Sequence, residues 1–143
     1  VHISQILKTK PPSVVTGHPS DTVGDIVEQL SQNKIGAVVI LDDDGKVVGI
    51  ISERDIIRLI AAHGAASLNM SVSQGMTHGV ITCTRQCLVE EIMRVMTKGR
   101  FRHIPVVEDG RLIGIISIGD VVKYRNAEFE LEVSAMRDYL ATG

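Results

Sequence analysis

The stretch Gly49-Ile50-Ile51-Ser52-Glu53-Arg54-Asp55 returns as Gly114-Ile115-Ile116-Ser117-Ile118-Gly119-Asp120, so this chain has to fold as two related halves. Ser52 and Ser117 are 65 residues apart. That period is too long, and the copies too few, for a solenoid, and it indicates a duplicated small domain. With 143 residues in total, each copy is too short to bury much surface alone, and the halves are expected to rely on each other. A duplicated pair has an interface, and an interface is where a ligand can sit.

Alignment of the copies sets Val14-Val15-Thr16 over Val80-Ile81-Thr82, Val23 and Ile26 over Val89 and Ile92, and Ile35-Gly36-Ala37-Val38 over Phe101-Arg102-His103-Ile104. The offset drops from 66 to 65 where Asp42-Asp43-Asp44-Gly45 faces Glu108-Asp109-Gly110, an insertion that belongs in a turn. Each copy then reads as strand, helix, strand, strand, helix. Thr22 with Asp25 predicts a helix cap, followed by an apolar stripe of Val23, Ile26, Val27 and Leu30 that Val89, Ile92, Met93 and Met96 match. Residues 37–41 and 46–51 predict a hairpin. The expected organisation is an N-terminal segment with the first repeat (1–66), a connection (67–78) with a short helical turn around Val72, the second repeat (79–125) and a C-terminal helix (126–143). Ile3, Ile6 and Leu7 predict a short first helix stopped by Pro11 and Pro12. Phe129, Val133, Met136 and Leu140 recur at helical spacing, and such a stripe either packs on its own domain or forms a dimer contact.

Several function classes are disfavoured. A net charge of −2 without a basic cluster, with two Phe, two Tyr and no Trp, offers nucleic acid neither phosphate neutralisation nor a stacking platform. No apolar run reaches a membrane span, and Val1-His2-Ile3-Ser4 has no signal-peptide pattern. Cys83 and Cys87 form neither a disulfide framework nor a zinc site, which suggests a reducing, cytoplasmic setting. His2, His18, His63 and His78 read as surface residues. Asp42-Asp43-Asp44 reads as a solvated turn rather than a cation site.

The repeated Ser-x-x-Asp carries the chemistry. As a helix cap, Ser52 or Ser117 accepts from an early backbone N–H, and Asp55 or Asp120 sits at the positive end of the helix dipole. As a binding element, a strand entering a helix N-terminus presents N–H groups and a hydroxyl to an anion, with Arg54 adding a guanidinium suited to phosphate. A phosphate site has no use for a carboxylate, whereas a ribose diol can donate to one. Capping explains Ser and Asp but not Arg54. Both readings stand on the residues alone.

These segments, with Ile35 to Val39 and Phe101 to Val106 before them, resemble the cystathionine-β-synthase (CBS) domain family over both repeats. The resemblance implies an α/β tandem pair, two β-α-β-β-α repeats packed sheet to sheet with pseudo-twofold symmetry. It also implies two clefts that bind adenosine derivatives: AMP first, with ADP, ATP, NAD(H) or S-adenosylmethionine as further candidates. It assigns ribose to Asp55 and Asp120, phosphate to Ser52, Ser117 and Arg54, and places Thr16 and Thr82 by the ligand. Val14, Val80 and Ile81 offer aliphatic surface to the base, and backbone at Ala37 and His103 reads its edge, with Ile104 and Pro105 in the adjoining strand. Gly119 replaces Arg54 in the second copy, so that site is expected to draw on Arg102 or His103 and to differ in affinity. His103 is the histidine placed to titrate near neutral pH.

No nucleophile, base and electrophile holder recur at recognisable spacing, which predicts a regulatory nucleotide sensor rather than an enzyme. The resemblance further implies a homodimer, with the regulated partner unspecified. The rival readings are an assembly module without ligand, a regulatory fragment of a larger enzyme or transporter, and a small enzyme using Cys83 or His103.

Overall fold

The computed structural model describes residues 1–11 and 13–142. Helix α1 (Ile3–Leu7) leads to β1 (Thr16–Gly17), α2 (Val23–Asn33), the hairpin β2 (Ala37–Leu41) and β3 (Val47–Ser52), and α3 (Glu53–His63). A 3-10 turn (Gly64–Asn69) and α4 (Val72–Gly75) connect to α5 (Val89–Gly99), the hairpin β4 (His103–Glu108) and β5 (Arg111–Ser117), and α6 (Ile118–Thr142). The expected stop of α1 at Pro11 and Pro12 lies partly outside the described residues, which exclude Pro12; the helix ends at Leu7.

Local chemistry produces these elements. The Thr22 hydroxyl accepts from the Asp25 N–H at 3.1 Å while the Asp25 carboxylate accepts from the Thr22 N–H at 3.0 Å, a reciprocal cap that starts α2. Asp109 and Gly110, both at positive φ, make the tight turn that a two-residue hairpin needs. In the first hairpin the additional residue is absorbed by Asp42, whose carboxylate accepts from the N–H groups of Asp44 and Lys46. β1 pairs in parallel with β2, and β2 antiparallel with β3.

The second copy departs from the expected pattern at its start. Val80, Ile81 and Thr82 form no strand; a single parallel bridge joins Cys83 to Val106, where Gly17 joins Ile40 in the first copy. The expected separation between a helix closing the second repeat and a C-terminal helix also fails, because α6 runs unbroken. Nothing in 118–142 breaks it, as this span has no proline and its one glycine, Gly119, stands in the first turn. Phe129, Met136 and Leu140 are exposed, so most of that stripe does not pack on its own domain.

Each copy has its own apolar core, and each core is completed from an unexpected place. Ile3 and Ile6 of α1 are buried with Val89, Ile92, Ile104 and Ile116 of the second copy. Val72 and Met76, in and just after α4, are buried with Val23, Ile26, Ile40 and Ile51 of the first. The connecting segment is therefore packed structure, with Ser67 and Val72 fully buried. The leading glycines of the repeated motif receive these segments: a Cβ on Gly49 would lie 2.3 Å from the Met76 sulfur, and one on Gly114 would lie 2.5 Å from a Leu7 methyl. Gly49→Ala is expected to cost about 1–2 kcal/mol through overpacking against Met76. The check is chemical denaturation, with Met76→Ala predicted to recover part of the loss if the clash is the cause.

Candidate functional site

The hairpins set Ala37 opposite Ser52 and His103 opposite Ser117, which brings the strand before each turn against the Ser-x-x-Asp that follows it. Ser52 caps α3: its hydroxyl accepts from the Asp55 N–H at 3.3 Å, and Asp55 Oδ2 accepts from the Ser52 N–H at 2.9 Å and its hydroxyl at 3.1 Å. Ser117 and Asp120 repeat the exchange at 2.9 and 3.1 Å. Capping is thus present at both motifs, and what distinguishes them is the cavity each one faces.

A cleft of about 430 Å³ lies over the first motif, within the range of small-molecule sites. Ser52, Arg54 and Asp55 form one side, and the other comes from the second copy, with Val80, Ile81, Arg102, His103 and Ser117. Arg58 and Arg100 also line it, so four arginines border this space together with Glu53 and Asp55. The excess of cation favours an anionic ligand. Asp55 itself is buried, with Arg58 3.4 Å from Oδ1 and the Thr77 hydroxyl 3.5 Å from both oxygens. Ile50, Val80 and Ile81 supply the aliphatic wall.

A second cleft of about 440 Å³ is lined by Val14 and Ala37 of the first copy and by His103, Gly114, Ile115 and Ser117 of the second. The lead-in of each copy therefore closes the cleft over the other copy's motif. His103 and Ser117 line both clefts. Burial, and then the nearby Lys10 ammonium, hold the His103 imidazole below its ordinary pKa, with Glu53 and Asp120 opposing.

The remaining sequence-derived candidates fall elsewhere. Thr16 lines a separate groove with Leu41 and Arg85, and Thr82 is exposed and lines neither cleft. Ile104 and Pro105 are buried and also line neither; Ile104 belongs to the second core, because alternation along β4 turns it away from His103. Arg102 lines the first cleft and not the second, whose cations are Lys10 and Lys34.

Sequence reasoning missed Thr77, Arg58, Arg100, Lys10 and Lys34. Arg58 had a legible signal, one helical turn after Arg54. Lys34 and Arg100 are both helix C-caps at positive φ (53° and 58°), where glycine is the easier residue. Each instead presents a cation to a cleft, and strained backbone of this kind clusters at binding sites.

Of the two cysteines, Cys83 is buried, and burial together with Cys87 pushes its thiol up to about 12. Such a thiol stays protonated at neutral pH and is a poor nucleophile. The acidic turn is solvated as expected, with Asp43 paired to His18 at 2.7 Å. Among the described residues no helix is long and apolar enough to cross a membrane.

Fold and clefts together define a duplicated α/β module with two cavities between its copies. The CBS domain model matches twice, over residues 3–62 and 70–127, and the chain belongs to that family. A CBS-domain protein from Agrobacterium tumefaciens shares 49% identity at a TM-score of 0.83, over 87% of this chain and 92% of the other. The mitochondrial CBS domain-containing protein CBSX3 of Arabidopsis thaliana is 36% identical over 99% of this chain and 72% of its own length. Two further similar structures carry ligands. CBSX2, solved with AMP, is 25% identical at a TM-score of 0.74, over 85% of this chain and 96% of its own. The CBS pair of protein MJ0100, solved with 5-methylthioadenosine and S-adenosylmethionine, is 28% identical at 0.79, over 90% and 98%.

Proposed function

We propose that this chain is a regulatory CBS pair that binds an adenosine nucleotide, AMP in the first instance, in the cleft over Asp55, and that it works as a sensor without catalysis of its own. The observation that carries this is one cavity holding a buried carboxylate, a capped helix N-terminus and four arginines between aliphatic walls. The carboxylate matches a ribose diol, the helix terminus and arginines match phosphate, and Ile50, Val80 and Ile81 match the faces of a base. Adenosine is the part shared by AMP, 5-methylthioadenosine and S-adenosylmethionine, the ligands named for the two similar structures. The four arginines favour the phosphorylated member here. ADP, ATP and NAD(H) share the same half and belong in the same test.

A second copy of the chain is the proposed partner, with the exposed stripe of α6 as contact. The cytoplasm is the proposed location, consistent with two free thiols. Ligand binding would act by preferring one arrangement of the associated modules, with an energy no larger than that preference.

A thermal-shift panel of AMP, ADP, ATP, NAD⁺, NADH and S-adenosylmethionine tests the ligand. At a hundredfold excess over its dissociation constant, the true ligand adds about 2.7 kcal/mol, or on the order of 5–10 °C in a chain of this size. No shift with any of them leaves the ligand-free assembly reading standing instead. Arg54→Ala is expected to weaken AMP about tenfold, one charge-assisted hydrogen bond's worth, and to leave adenosine nearly unchanged. Equal losses for the two would remove Arg54 from phosphate binding.

A further inference from the structure

Both motifs have the same Ser and Asp, yet the two clefts meet them differently. Asp55 opens directly onto the first cleft. In the second, the wall beside Ser117 and Ile115 is formed by Lys10. Its ammonium lies 2.6 Å from Asp120 Oδ2 and 2.5 Å from the Ile115 carbonyl oxygen, and both side chains of the pair are only 24% exposed. Burial alone would raise the Asp120 pKa, but Lys10 and the Ser117 N–H hold it below the ordinary carboxylate range.

Lys10 is held from behind. The Lys10 N–H donates to the Leu7 carbonyl and that of Ile3 to the Cys87 carbonyl, while Ile3 and Ile6 are buried in the second core. Where Leu7 meets Gly114 on the way to Lys10, the residue that meets Gly49 in the first copy is Met76. It is buried in the first core and carries no charge. The next residue, Thr77, reaches Asp55 through a neutral hydroxyl at 3.5 Å, and the cation beside Asp55, Arg58 at 3.4 Å, has a side chain 76% exposed, so it can yield to a ligand at little cost. A neutral diol can join such a site, whereas at Asp120 it has to displace an ammonium and leave that ammonium half-buried without its partner.

We infer that Lys10 is the specificity residue that makes the clefts unequal: it covers Asp120 and bars the second cleft to the nucleoside that the first accepts. This rests on the adenosine-nucleotide reading of the first cleft. Chain asymmetry thus arises from the segment that follows α1, outside the repeated motif, as well as from the exchange of Arg54 for Gly119.

Isothermal titration with AMP counts the sites. The unaltered chain is expected to bind one AMP per chain, and Lys10→Met, which removes the charge at similar side-chain length, to bind two, the added site at least tenfold tighter than any second site of the parent. Lys10→Gln is the companion variant, with thermal melts of both establishing that they fold, and Lys10→Arg, which keeps the charge, should stay at one. In an Asp55→Ala background, Lys10→Met should restore a single AMP site. Two equal sites in the unaltered chain, or one site in both Met and Gln variants, overturns the inference while the nucleotide reading stands. No AMP binding by the parent or by any variant overturns both.

Discussion

Asp55→Ala is expected to weaken AMP binding by a factor on the order of 30–100. Asp55 is nearly fully buried at 8% exposure, and its two oxygens are used unequally. Oδ2 accepts from the Ser52 N–H and hydroxyl at 2.9 and 3.1 Å, whereas Oδ1 has only Arg58 at 3.4 Å and Thr77 at 3.5 Å. A ribose diol donating to this carboxylate forms charge-assisted hydrogen bonds of about 1.5–3 kcal/mol each against an unmade bond. Counting only the bond to the weakly used Oδ1, the loss corresponds to roughly 2–3 kcal/mol of binding. The same substitution removes half of the capping box, at about 1 kcal/mol of stability, so the titration has to be run well below the melting temperature. Asp55→Asn, which keeps an acceptor for the Ser52 N–H but loses the charge, should cap α3 and still bind AMP poorly. Asp120→Ala is the contrast, because Lys10 already occupies that carboxylate, and a change under about threefold is expected. An Asp55→Ala chain that binds AMP as tightly as the parent would dismiss the ribose role.

Ile104→Ala is expected to destabilise the fold by about 3–4 kcal/mol, as a large-to-small change in a closed core does. That corresponds to roughly 8–14 °C of melting temperature for a chain of this size. Ile104 is fully buried among Ile3, Ile6, Ile92 and Ile116, so its loss also loosens the seat of α1. Its neighbour His103 lines both clefts, and the alternation of β4 places the two side chains on opposite faces. The distinguishing outcome is a large drop in melting temperature with unchanged AMP affinity in the folded fraction. A melting temperature within about 2 °C of the parent, combined with weaker AMP binding, would return Ile104 to the ligand.

Helix caps, hairpins and apolar stripes were legible because each rests on residues within a few positions of one another. Thr22 with Asp25, Ser52 with Asp55, and Ser117 with Asp120 all pair across three residues, and all three exchanges form. The strand expected at Val80 to Thr82 is absent because pairing in the second copy begins at Cys83, and a short β-prone run does not state its own register. The break expected in α6 had no local cause, since the exposure of Phe129 and Leu140 depends on what lies opposite them. Thr16 and Thr82 looked equivalent to ligand-facing residues by position in the repeat. That neither lines a cleft, although Val15 and Ile81 beside them do, follows from how the lead-in segments cross between copies.

The sequence by itself determined that there are two halves, that each ends in a capped helix behind a Ser-x-x-Asp, and that the halves differ at Arg54 and Gly119. Tertiary structure alone decided which half completes which. α1 packs into the second core and α4 into the first, so Val80 comes to face Asp55 while Lys10 reaches Asp120 across 110 residues of chain. A repeat specifies each copy's local hydrogen bonds twice over, but the burial that docks one copy's lead-in onto the other acts through space. For that reason the residue that most separates the two clefts lies outside the motif that made them look alike.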